Sequence, residues 1–558
     1  MSLPDSGMRV DTIFTHGDFR TFDPSRPRAT TMAVLAGRII AMGDDDLATQ
    51  LSADRVIDLG GRCVVPGFND AHNHMVFFGM TLADVDCSSP PMRSVADICE
   101  AIRRRAAETP KGGWVTGAGY DQNKLAEGRH PHARELDAAA PDHKVWLKHT
   151  SGHMCTVNSA VLDMIRDTPI PPGGEVEVDG EGRRTGLVQE QAQSMVRNLV
   201  YPVTVDRIVD ALEQASRHYL AEGVTSATEA GVGAGLVAHS PVEVAAWMEA
   251  RRRGVLGIRV NMLVAVEALH HIAHAEGEDP LFGLDGGIHS GLGDEWLRIG
   301  GTKIFSDGSL IGRTAAMFDP FEGGEPGSEC NCGFFQTEPE LLKRQIIDAH
   351  RSGWQVCTHA IGDRAVATVL EAYEEAQRLY PRHDTRHRIE HCGVLQERLL
   401  DTVKNLGVVP VPQGRFISEI GDGMKNALGL HRTPDAYRQR SFLDRGIPLP
   451  GSSDRPVVLG APLLGIHDMV NQRTASGEPF VPGEAISTEE AVHAYTRGSA
   501  YAAFEERIKG ALAPGMLADF VVLGRDMFAE DRDGIGETPV EATIVGGVVA
   551  HDLVGIGN

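Results

Sequence analysis

Two histidines one residue apart, His72 and His74, follow an apolar run in the stretch VVPGFNDAHNHMV at residues 64–76. On an extended strand, positions i and i+2 point to the same side, so both imidazoles would converge on one point as the strand ends. Two neutral imidazoles suit a divalent metal ion. Two histidines can equally be polar residues near a surface, so the pair alone leaves both interpretations open.

Further residues of metal-binding or acid–base type lie at the ends of strand-like runs downstream. They are Glu229, Lys303, His359, His391 and Asp454. A lone histidine at the end of a strand is more often structural than a ligand, but joint placement of several such residues is hard to obtain by chance. The elements that carry them therefore decide whether they form one site.

Eight strand-like runs alternate with helix-like stretches over the middle of the chain. The strand candidates are CVVPGFND, GVTSATEA, RVNMLVAV, RIGGTKIFSDG, WQVCTHAIGD, RHRIEHC, GVVPVPQG and GIPLPGSSD. Amphipathic stretches such as TVDRIVDALEQASRHYLAEG separate several of them. Eight strand–helix units predict an α/β fold, a (β/α)8 TIM-like barrel rather than an open doubly wound sheet.

In a barrel of this type, reactive side chains lie at the carboxyl ends of the strands. Six candidates would then meet on one face, from strands one, four, five, six and eight: His72, His74, Lys303, His359, His391 and Asp454. We expect four imidazoles, an amine and a carboxylate within reach of a shared cation.

Both ends of the chain are rich in short strand-like runs broken by Gly and Pro. We predict a β-sandwich domain from residues 1–66 and 506–558, around a barrel of residues 67–505. Roughly 150 residues separate the first two barrel strands, too many for a structureless loop. Residues 80–200 are therefore predicted to form an inserted α/β cap over the barrel mouth, where it could exclude water.

The composition limits the class of partner. The formal net charge of the 558 residues is −24, and such a surface repels phosphate backbones, so we expect no nucleic-acid partner. No secretory segment and no membrane-spanning run is visible, so no membrane association is expected. The eight cysteines contain no CxxC pair, which favours free thiols and a cytoplasmic location. A small-molecule substrate is the expected partner.

Several motifs carry a resemblance to a known family. VVPGFNDAHNH resembles the PGxxDxHxH signature of the amidohydrolase superfamily, and LAPGMLADFVVL with TIVGGVVAH resembles its C-terminal sandwich segment. LKHTSGHMCTVNSAVL, KIFSDGSLIGRTAAM, HAIGDRAV and RIEHC are similar to the amidohydrolase 3 branch, with its YtcJ-like and N-substituted formamide deformylase-like proteins. The resemblance implies a distorted barrel with a β-sandwich, a metal centre and hydrolytic activity.

The resemblance also implies roles for single residues. His72 and His74 would bind a first metal ion, and His359 and His391 a second. Lys303 would bridge the two ions as a carbamate, and Asp454 would complete the first ion's shell and handle protons. Zinc is the expected metal, two ions per chain, with manganese, iron or cobalt as alternatives. A homodimer is also implied.

A centre with two metal ions and these side chains would carry out hydrolysis. A hydroxide bridging two ions is a strong nucleophile near neutral pH and would attack a carbonyl carbon. Asp454 would accept the proton and pass it to the leaving group. A free lysine is a cation that repels a metal ion, so Lys303 acts as a ligand only if it is deprotonated or carbamylated. Otherwise Lys303 is a salt-bridged barrel lysine and Asp454 a turn-capping aspartate.

Three further residues are candidates for contacts around the substrate. His153, in the inserted segment, could donate to the substrate carbonyl or be an ordinary buried histidine. Arg313 could bind a substrate carboxylate, or be solvated or paired with Asp307 or Asp319. Glu229 could orient a ligand histidine.

The sequence thus favours a metal-dependent hydrolase of an amide-type C–N bond in an N-acyl or N-formyl amine. An esterase or lactonase stays open, because the same hydroxide attacks any activated carbonyl. A mononuclear deaminase is a further alternative, although no glutamate follows His359 closely. A non-catalytic scaffold would be expected to lack ligands, and the sequence lacks none.

Overall fold

The computed structural model describes residues 9–278, 280–322, 330–529 and 531–557. At its centre, seven parallel strands form one sheet in sequential order, nearly closed into a barrel. The strands are β1 Phe68–Asn73, β2 Val224–Val232, β3 Arg259–Ala265, β4 Leu297–Phe305, β5 Gln355–Ala360, β6 Arg388–His391 and β7 Val409–Val411. The α/β, TIM-like barrel class is therefore confirmed.

Helices follow or precede the strands, and most pack on the outside of the barrel, whereas Phe416–Glu419 and Gly421–Arg432 contribute side chains to the cavity at its mouth. The longer ones are Val205–Ala221, Glu243–Arg253, Pro339–Arg351, Asp363–Leu379, Gly421–Arg432 and Pro462–Asn471. The shorter ones are Met75–Thr81, Leu400–Asn405, Phe416–Glu419, Gln439–Asp444, Thr488–His493 and Ser499–Ala502. The apolar faces of most of these helices share one large buried cluster with residues of the strands, as expected when burial of an amphipathic face stabilises a helix. None of the helices among the described residues is both long and apolar enough to cross a membrane.

The eighth predicted strand, in GIPLPGSSD, is not a strand in the structure. Its prolines cannot donate to a ladder, and Asp454 adopts a left-handed backbone conformation with φ 60°. The segment still closes the barrel beside β1. The amide of Ala71 donates to the carbonyl of Gly451 at 2.9 Å, and the amide of Asp454 donates to the carbonyl of His72 at 2.7 Å.

The first predicted strand divides in two at Gly67. Cys63–Pro66 pairs with strands of the terminal sheets, whereas Phe68–Asn73 enters the barrel. A side chain at Gly67 would meet Thr225 Oγ1 at 2.1 Å, so only glycine allows this close approach of β1 and β2. The divided run ties the terminal sheets directly to the barrel strand that carries His72.

Strands from both ends of the chain form two packed sheets. The four-stranded sheet contains Arg9–Thr15, Thr31–Leu35, Arg38–Gly43 and Ser52–Asp58. The six-stranded sheet contains Asp18–Arg20, Arg28–Ala29, Cys63–Pro66, Phe520–Leu523, Val540–Val545 and Val548–Asp552. Phe14, Phe19 and Phe520 lie together in the buried cluster between them.

The segment between β1 and β2 has a six-stranded sheet of its own. The strands are Val85–Asp86, Trp114–Tyr120, Lys144–His149, Met154–Val157, Gly174–Val178 and Arg184–Glu190. Helices Val95–Glu108, Ala133–Ala139, Ser159–Met164 and Gln193–Arg197 accompany it. We call residues 80–200 the cap, because side chains of this segment form part of the wall of the cavity at the barrel mouth.

Candidate metal centre

The six predicted ligands line a single cavity at the carboxyl ends of the barrel strands. They come from β1, the turn after it, β4, β5, β6 and the closing segment beside β1: His72, His74, Lys303, His359, His391 and Asp454. All six are buried. Residues spread over nearly the whole barrel therefore share one small volume, as expected for a strand-end site.

Three of these residues form a compact cluster. One ligand atom each of His72, His391 and Asp454 lies within 4.8 Å of the others, close enough to hold a metal ion. Asp454 Oδ1 lies 3.3 Å from His72 Nε2 and 3.2 Å from His74 Nε2. The ring centres of His359 and His391 are 4.6 Å apart, so the fourth imidazole joins the same cluster.

Outer hydrogen bonds orient two of the imidazoles. His72 Nδ1 bonds to Glu390 Oε2, and His391 Nδ1 bonds to Gln413 Oε1 at 2.8 Å. Both rings thereby keep Nε2 for the cavity, the usual arrangement around a ligand histidine. Burial opposes ionisation of Glu390, but the charges of Arg388 and His72 outweigh it and lower the pKa of this carboxyl.

His359 is oriented through its other nitrogen. Its Nε2 lies 3.0 Å from the carbonyl of Gly308 and 3.5 Å from Asp307 Oδ1, and its Nδ1 makes no hydrogen bond within the described part of the chain. Asp307 in turn accepts from the amides of Ile361 and Gly362, at 3.1 and 2.8 Å. The loop after β4 is thereby fixed against the end of β5.

The donor set fits a divalent cation. Within the described part of the chain, His72 Nε2 and Lys303 Nζ are buried polar atoms without a hydrogen-bond partner. Orphaned buried groups of this kind carry a free-energy cost unless a ligand satisfies them. Burial lowers the pKa of Lys303 to about 8, against the opposing charges of Glu390 and Asp454. Imidazole and carboxylate donors around an under-satisfied amine are suited to zinc, manganese, iron or cobalt.

Two residues of the cluster adopt the left-handed backbone conformation, His391 with φ 70° and Asp454 with φ 60°. This conformation is costly for residues other than glycine and concentrates at functional sites. On a regular β6, Arg388 and Glu390 would share one face and His391 would face the other way. With the left-handed turn, His391 lines the cavity while the neighbouring Glu390 bonds to His72 from outside it.

The cavity above the cluster is mostly apolar. Its wall contains Phe77, Trp146, Met154, Tyr201, Leu236, Val237, Phe305, Leu310, Ile311, Ile361, Phe416, Ile420, Met424, Tyr437 and Val457. The cap supplies two of these, Trp146 and Met154, together with Lys148, Ser151, Gly152, His153, Gln193 and Arg197. A concave, largely apolar chamber with a few polar groups is typical of a small-molecule site.

His153 of the cap lines this cavity and is held by Glu190. Its Nδ1 lies 2.9 Å from Glu190 Oε2, and both side chains are buried. Burial lowers the pKa of His153, but the Glu190 carboxylate outweighs it and the net pKa is raised. The ring is thus fixed by one nitrogen, with the other left for a ligand.

Glu229 has a different role from the predicted one. Its Oε2 accepts from the amides of Met75 at 2.6 Å and Val76 at 3.4 Å, so it holds the first turn of helix Met75–Thr81. It does not line the cavity, and the carboxylate that orients a ligand histidine is Glu390. Glu390 follows Ile389 in RIEHC, but no local pattern indicates that it reaches across the barrel to His72.

Arg313 also lies apart from the expected position. Its Nη2 donates to the carbonyl of Glu322 at 2.8 Å, and it is not among the residues that line the cavity. The backbone at Arg313 is left-handed, with φ 52°, whereas Leu310 and Ile311 of the same loop line the cavity. The arginine that does line the cavity is Arg197, in the cap, which the sequence patterns did not single out.

Comparison with known proteins places this architecture in a family. The model described as "Amidohydrolase family" matches residues 55–551. This chain belongs to the amidohydrolase family. The family assignment from the sequence motifs is therefore confirmed, as is the class of enzyme, a hydrolase of carbon–nitrogen bonds.

Individual relatives cover nearly the whole chain. YtcJ of Bacillus subtilis (strain 168) is 30% identical over 504 residues, 89% of this chain and 90% of its own. The N-substituted formamide deformylase of Arthrobacter pascens is 29% identical over 562 residues, 98% of this chain and 99% of its own. A crystal structure of an uncharacterized metal-dependent hydrolase from Pyrococcus horikoshii OT3 is similar with a TM-score of 0.74 and 26% identity, covering 93% and 99% of the two chains.

Proposed function

We propose that this chain hydrolyses the amide-type C–N bond of an N-acyl or N-formyl amine at a metal centre in the barrel mouth. The observation that carries the proposal is the buried cluster of His72, His391 and Asp454 next to the unpartnered Lys303 Nζ, under an apolar chamber. Similarity over nearly the full length to an N-substituted formamide deformylase supports the substrate class.

The residues that would hold metal ions are those with free donor atoms in the cluster. His72, His74 and Asp454 would hold one ion, and His359 and His391 a second, with zinc as the proposed metal. Lys303 would join them as a carbamate, since its buried amine makes no hydrogen bond with the residues that the structure describes. Ions bound in such sites lower the pKa of a coordinated water and polarise a carbonyl oxygen.

Asp454 is the proposed proton carrier. Its carboxylate lies at the centre of the cluster, 3.3 and 3.2 Å from two imidazole nitrogens, and it faces the cavity. From this position it would accept the proton of the attacking water and deliver it to the leaving amine nitrogen. The leaving amine then departs neutral, and a carboxylic acid such as formate is the second product.

His153 is the proposed partner of the substrate carbonyl oxygen. The Glu190 carboxylate accepts from Nδ1–H and raises the pKa of the ring, which favours the imidazolium form in which Nε2 also carries a proton to donate. A preorganised donor of this kind stabilises negative charge that develops on the carbonyl oxygen during attack.

The geometry argues against the deaminase alternative. Glu390 is the glutamate beside a ligand histidine, and its oxygens are engaged by Arg388 at 2.7 and 2.8 Å and by His72. A carboxylate held from two sides is poorly placed to carry protons to a ring nitrogen. Esters and lactones remain chemically accessible to the same centre and belong in the substrate panel.

The first test combines metal analysis with a substrate panel. We expect about two ions per chain by mass spectrometry of the purified protein, falling in His72→Ala. N-formyl amines, N-acyl amines, esters, lactones and aminopurines would then be compared as substrates. We expect the formyl and acyl amines to be the best.

Asp454→Asn is expected to lower kcat for the best substrate at least about 100-fold, because proton transfer contributes that much. Asp444→Asn, an exposed aspartate at the end of helix Gln439–Asp444, is the matched control. Ammonia release from aminopurines alone, or full activity in Asp454→Asn, would contradict the proposal.

A further inference from the structure

One part of the cavity wall carries positive charge apart from the metal ligands. Its basic side chains are Lys148 and Arg197 of the cap and His239 of the loop after β2. Lys148 is already paired, because its Nζ lies 2.8 Å from Asp84 Oδ2. The charge of Lys148 is therefore balanced within the cap, which leaves that of Arg197.

Arg197 has no acidic partner within ion-pair distance in the described part of the chain. Its Nη1 donates to the carbonyl of Leu236, and its guanidinium carbon lies 5.9 Å from the ring centre of Tyr201. Nε and Nη2 make no hydrogen bond with any residue that the structure describes. Glu267 is the acidic group whose charge it feels, but the two form no ion pair.

The partial burial of the Arg197 guanidinium carries a free-energy cost when no anion lies beside it. Burial lowers the pKa of Arg197, with Tyr201 and Glu267 opposing that effect only in part. A guanidinium nevertheless stays charged at neutral pH. A half-buried charge without a partner is stabilised when an anion binds, so this position favours the binding of a negatively charged group.

His239 lines the same cavity and lies near the aromatic rings of Tyr201 and Phe77. Its ring centre is 5.1 Å from that of Tyr201 and 6.0 Å from that of Phe77, which is three residues after the ligand His74. It is 3% exposed, and its Nδ1 has no hydrogen-bond partner in the described structure, with Glu243 Oε1 3.8 Å away. Burial lowers the pKa of His239 to about 3, so the ring is neutral.

We propose that the substrate carries a carboxylate at the end remote from its scissile amide, and that Arg197 binds this carboxylate through Nε and Nη2. His239 contributes a neutral ring beside it. The apolar side chains of Phe77, Tyr201 and Val237 face the stretch between the two ends. The substrate is therefore an N-formyl or N-acyl amine with an apolar spacer and a terminal carboxylate.

The planar fork of arginine matches a carboxylate through two parallel hydrogen bonds. One unpaired cation also matches the single charge of a carboxylate better than the double charge of a phosphate. The position of the scissile bond in this inference rests on the proposed function.

Three matched formamides test the preference. They are 4-(formamidomethyl)benzoate, its neutral isostere 4-(formamidomethyl)benzamide, and N-benzylformamide. We expect kcat/KM for the benzoate to exceed that for the benzamide at least about tenfold, mainly through KM, because charge-assisted bonds discriminate in this range. Equal kcat/KM values for the benzoate and the benzamide would overturn the inference.

In Arg197→Gln we expect the ratio of kcat/KM for the benzoate to kcat/KM for the benzamide to fall close to one. In Arg197→Lys we expect a ratio between that of Arg197→Gln and that of the wild type. Arg134→Gln, at an exposed arginine of the cap outside the cavity, removes the same charge and should leave the ratio as it is. If Arg197→Gln does not fold, Arg197→Lys decides, since lysine keeps the charge but loses the fork. An unchanged ratio in the Arg197 variant that folds would overturn the inference.

A binding measurement separates this inference from the proposed function. Calorimetry with 4-ethylbenzoate and 4-ethylbenzamide needs no hydrolysis, and we expect the benzoate to bind more tightly in a manner that depends on Arg197. If no formamide is hydrolysed but this preference is seen, the proposed reaction fails and the carboxylate subsite stands. If the formamides with and without the carboxylate have equal kcat/KM values, and 4-ethylbenzoate binds no more tightly than 4-ethylbenzamide, the reaction stands and the subsite fails.

Discussion

At the scale of single residues, the site depends on groups that do not touch the cavity. Glu390 joins His72 to Arg388 and is fully buried between them. It fixes which nitrogen of His72 carries the proton, so that Nε2 is free for a metal ion. The ligand strand β1 and the ligand strand β6 are thereby coupled through one carboxylate.

Glu390→Gln tests this coupling. An amide cannot bear the negative charge that His72 and Arg388 now share, so we expect the affinity for zinc to fall about 10- to 100-fold. Competition with a chelating indicator measures it, and thermal unfolding checks that the variant is folded. Glu374→Gln, on the exposed face of helix Asp363–Leu379, is the control. Wild-type zinc affinity in folded Glu390→Gln would show that the orienting role is wrong.

At the scale of elements, a loop after β2 builds the wall beside Arg197. Glu243, the first residue of helix Glu243–Arg253, accepts from the amides of Gly233 at 3.0 Å and His239 at 3.3 Å. One buried carboxyl thus closes the loop that carries Leu236 and His239. Burial raises the pKa of Glu243 to about 7, with the two amides opposing it.

This shift predicts a pH dependence of stability. Between about pH 4.5 and 7 the folded chain keeps a proton on Glu243 that the unfolded chain has lost, so the free energy of unfolding falls as pH rises. The amide side chain of Glu243→Gln does not titrate. We therefore expect its free energy of unfolding to fall less than that of the wild type between about pH 4.5 and 7, and the difference between the two falls to reach up to about 3 kcal/mol. Urea denaturation at pH 5, 6 and 7 measures the difference. Parallel curves for variant and wild type would contradict it.

At the scale of the whole molecule, the sheets from the chain termini are anchored to the barrel by a buried ion pair. Arg259, which begins β3, donates from Nε and Nη2 to the two oxygens of Asp519 at 2.7 and 3.0 Å. Asp519 directly precedes the strand Phe520–Leu523. The contact lies at the amino end of the barrel strands, opposite the metal ligands.

Asp519→Asn removes the nearer counter-charge of the buried Arg259 guanidinium and leaves Glu295 Oε1, 3.7 Å from Nη1. We expect a loss of about 3–5 kcal/mol in the free energy of unfolding, the usual effect of removing one partner of a buried pair. Asp526→Asn breaks the more exposed pair with Arg20 and should cost about 0–1 kcal/mol. Chemical denaturation compares the two. Metal content per folded chain should stay unchanged in both, and a loss of metal would show that this ion pair also shapes the site.

The amino-acid sequence by itself determined the class of fold and the residue types of the candidate metal centre. Seven of the eight strand candidates overlap barrel strands, because alternating apolar runs and amphipathic helices are local patterns. His72, His359 and His391 could be placed at the cavity because parallel strands bring their carboxyl ends to one face. These inferences need only the spacing of apolar residues along the chain and the common direction of the predicted strands.

Only the tertiary structure decided how the site is completed. The closing segment at Asp454 is not a strand, the histidine-orienting carboxylate is Glu390 rather than Glu229, and the cavity arginine is Arg197 rather than Arg313. Each depends on contacts between residues far apart in sequence or on a left-handed backbone turn. Local periodicity does not encode those features, because they arise when the barrel closes and the cap folds over its mouth.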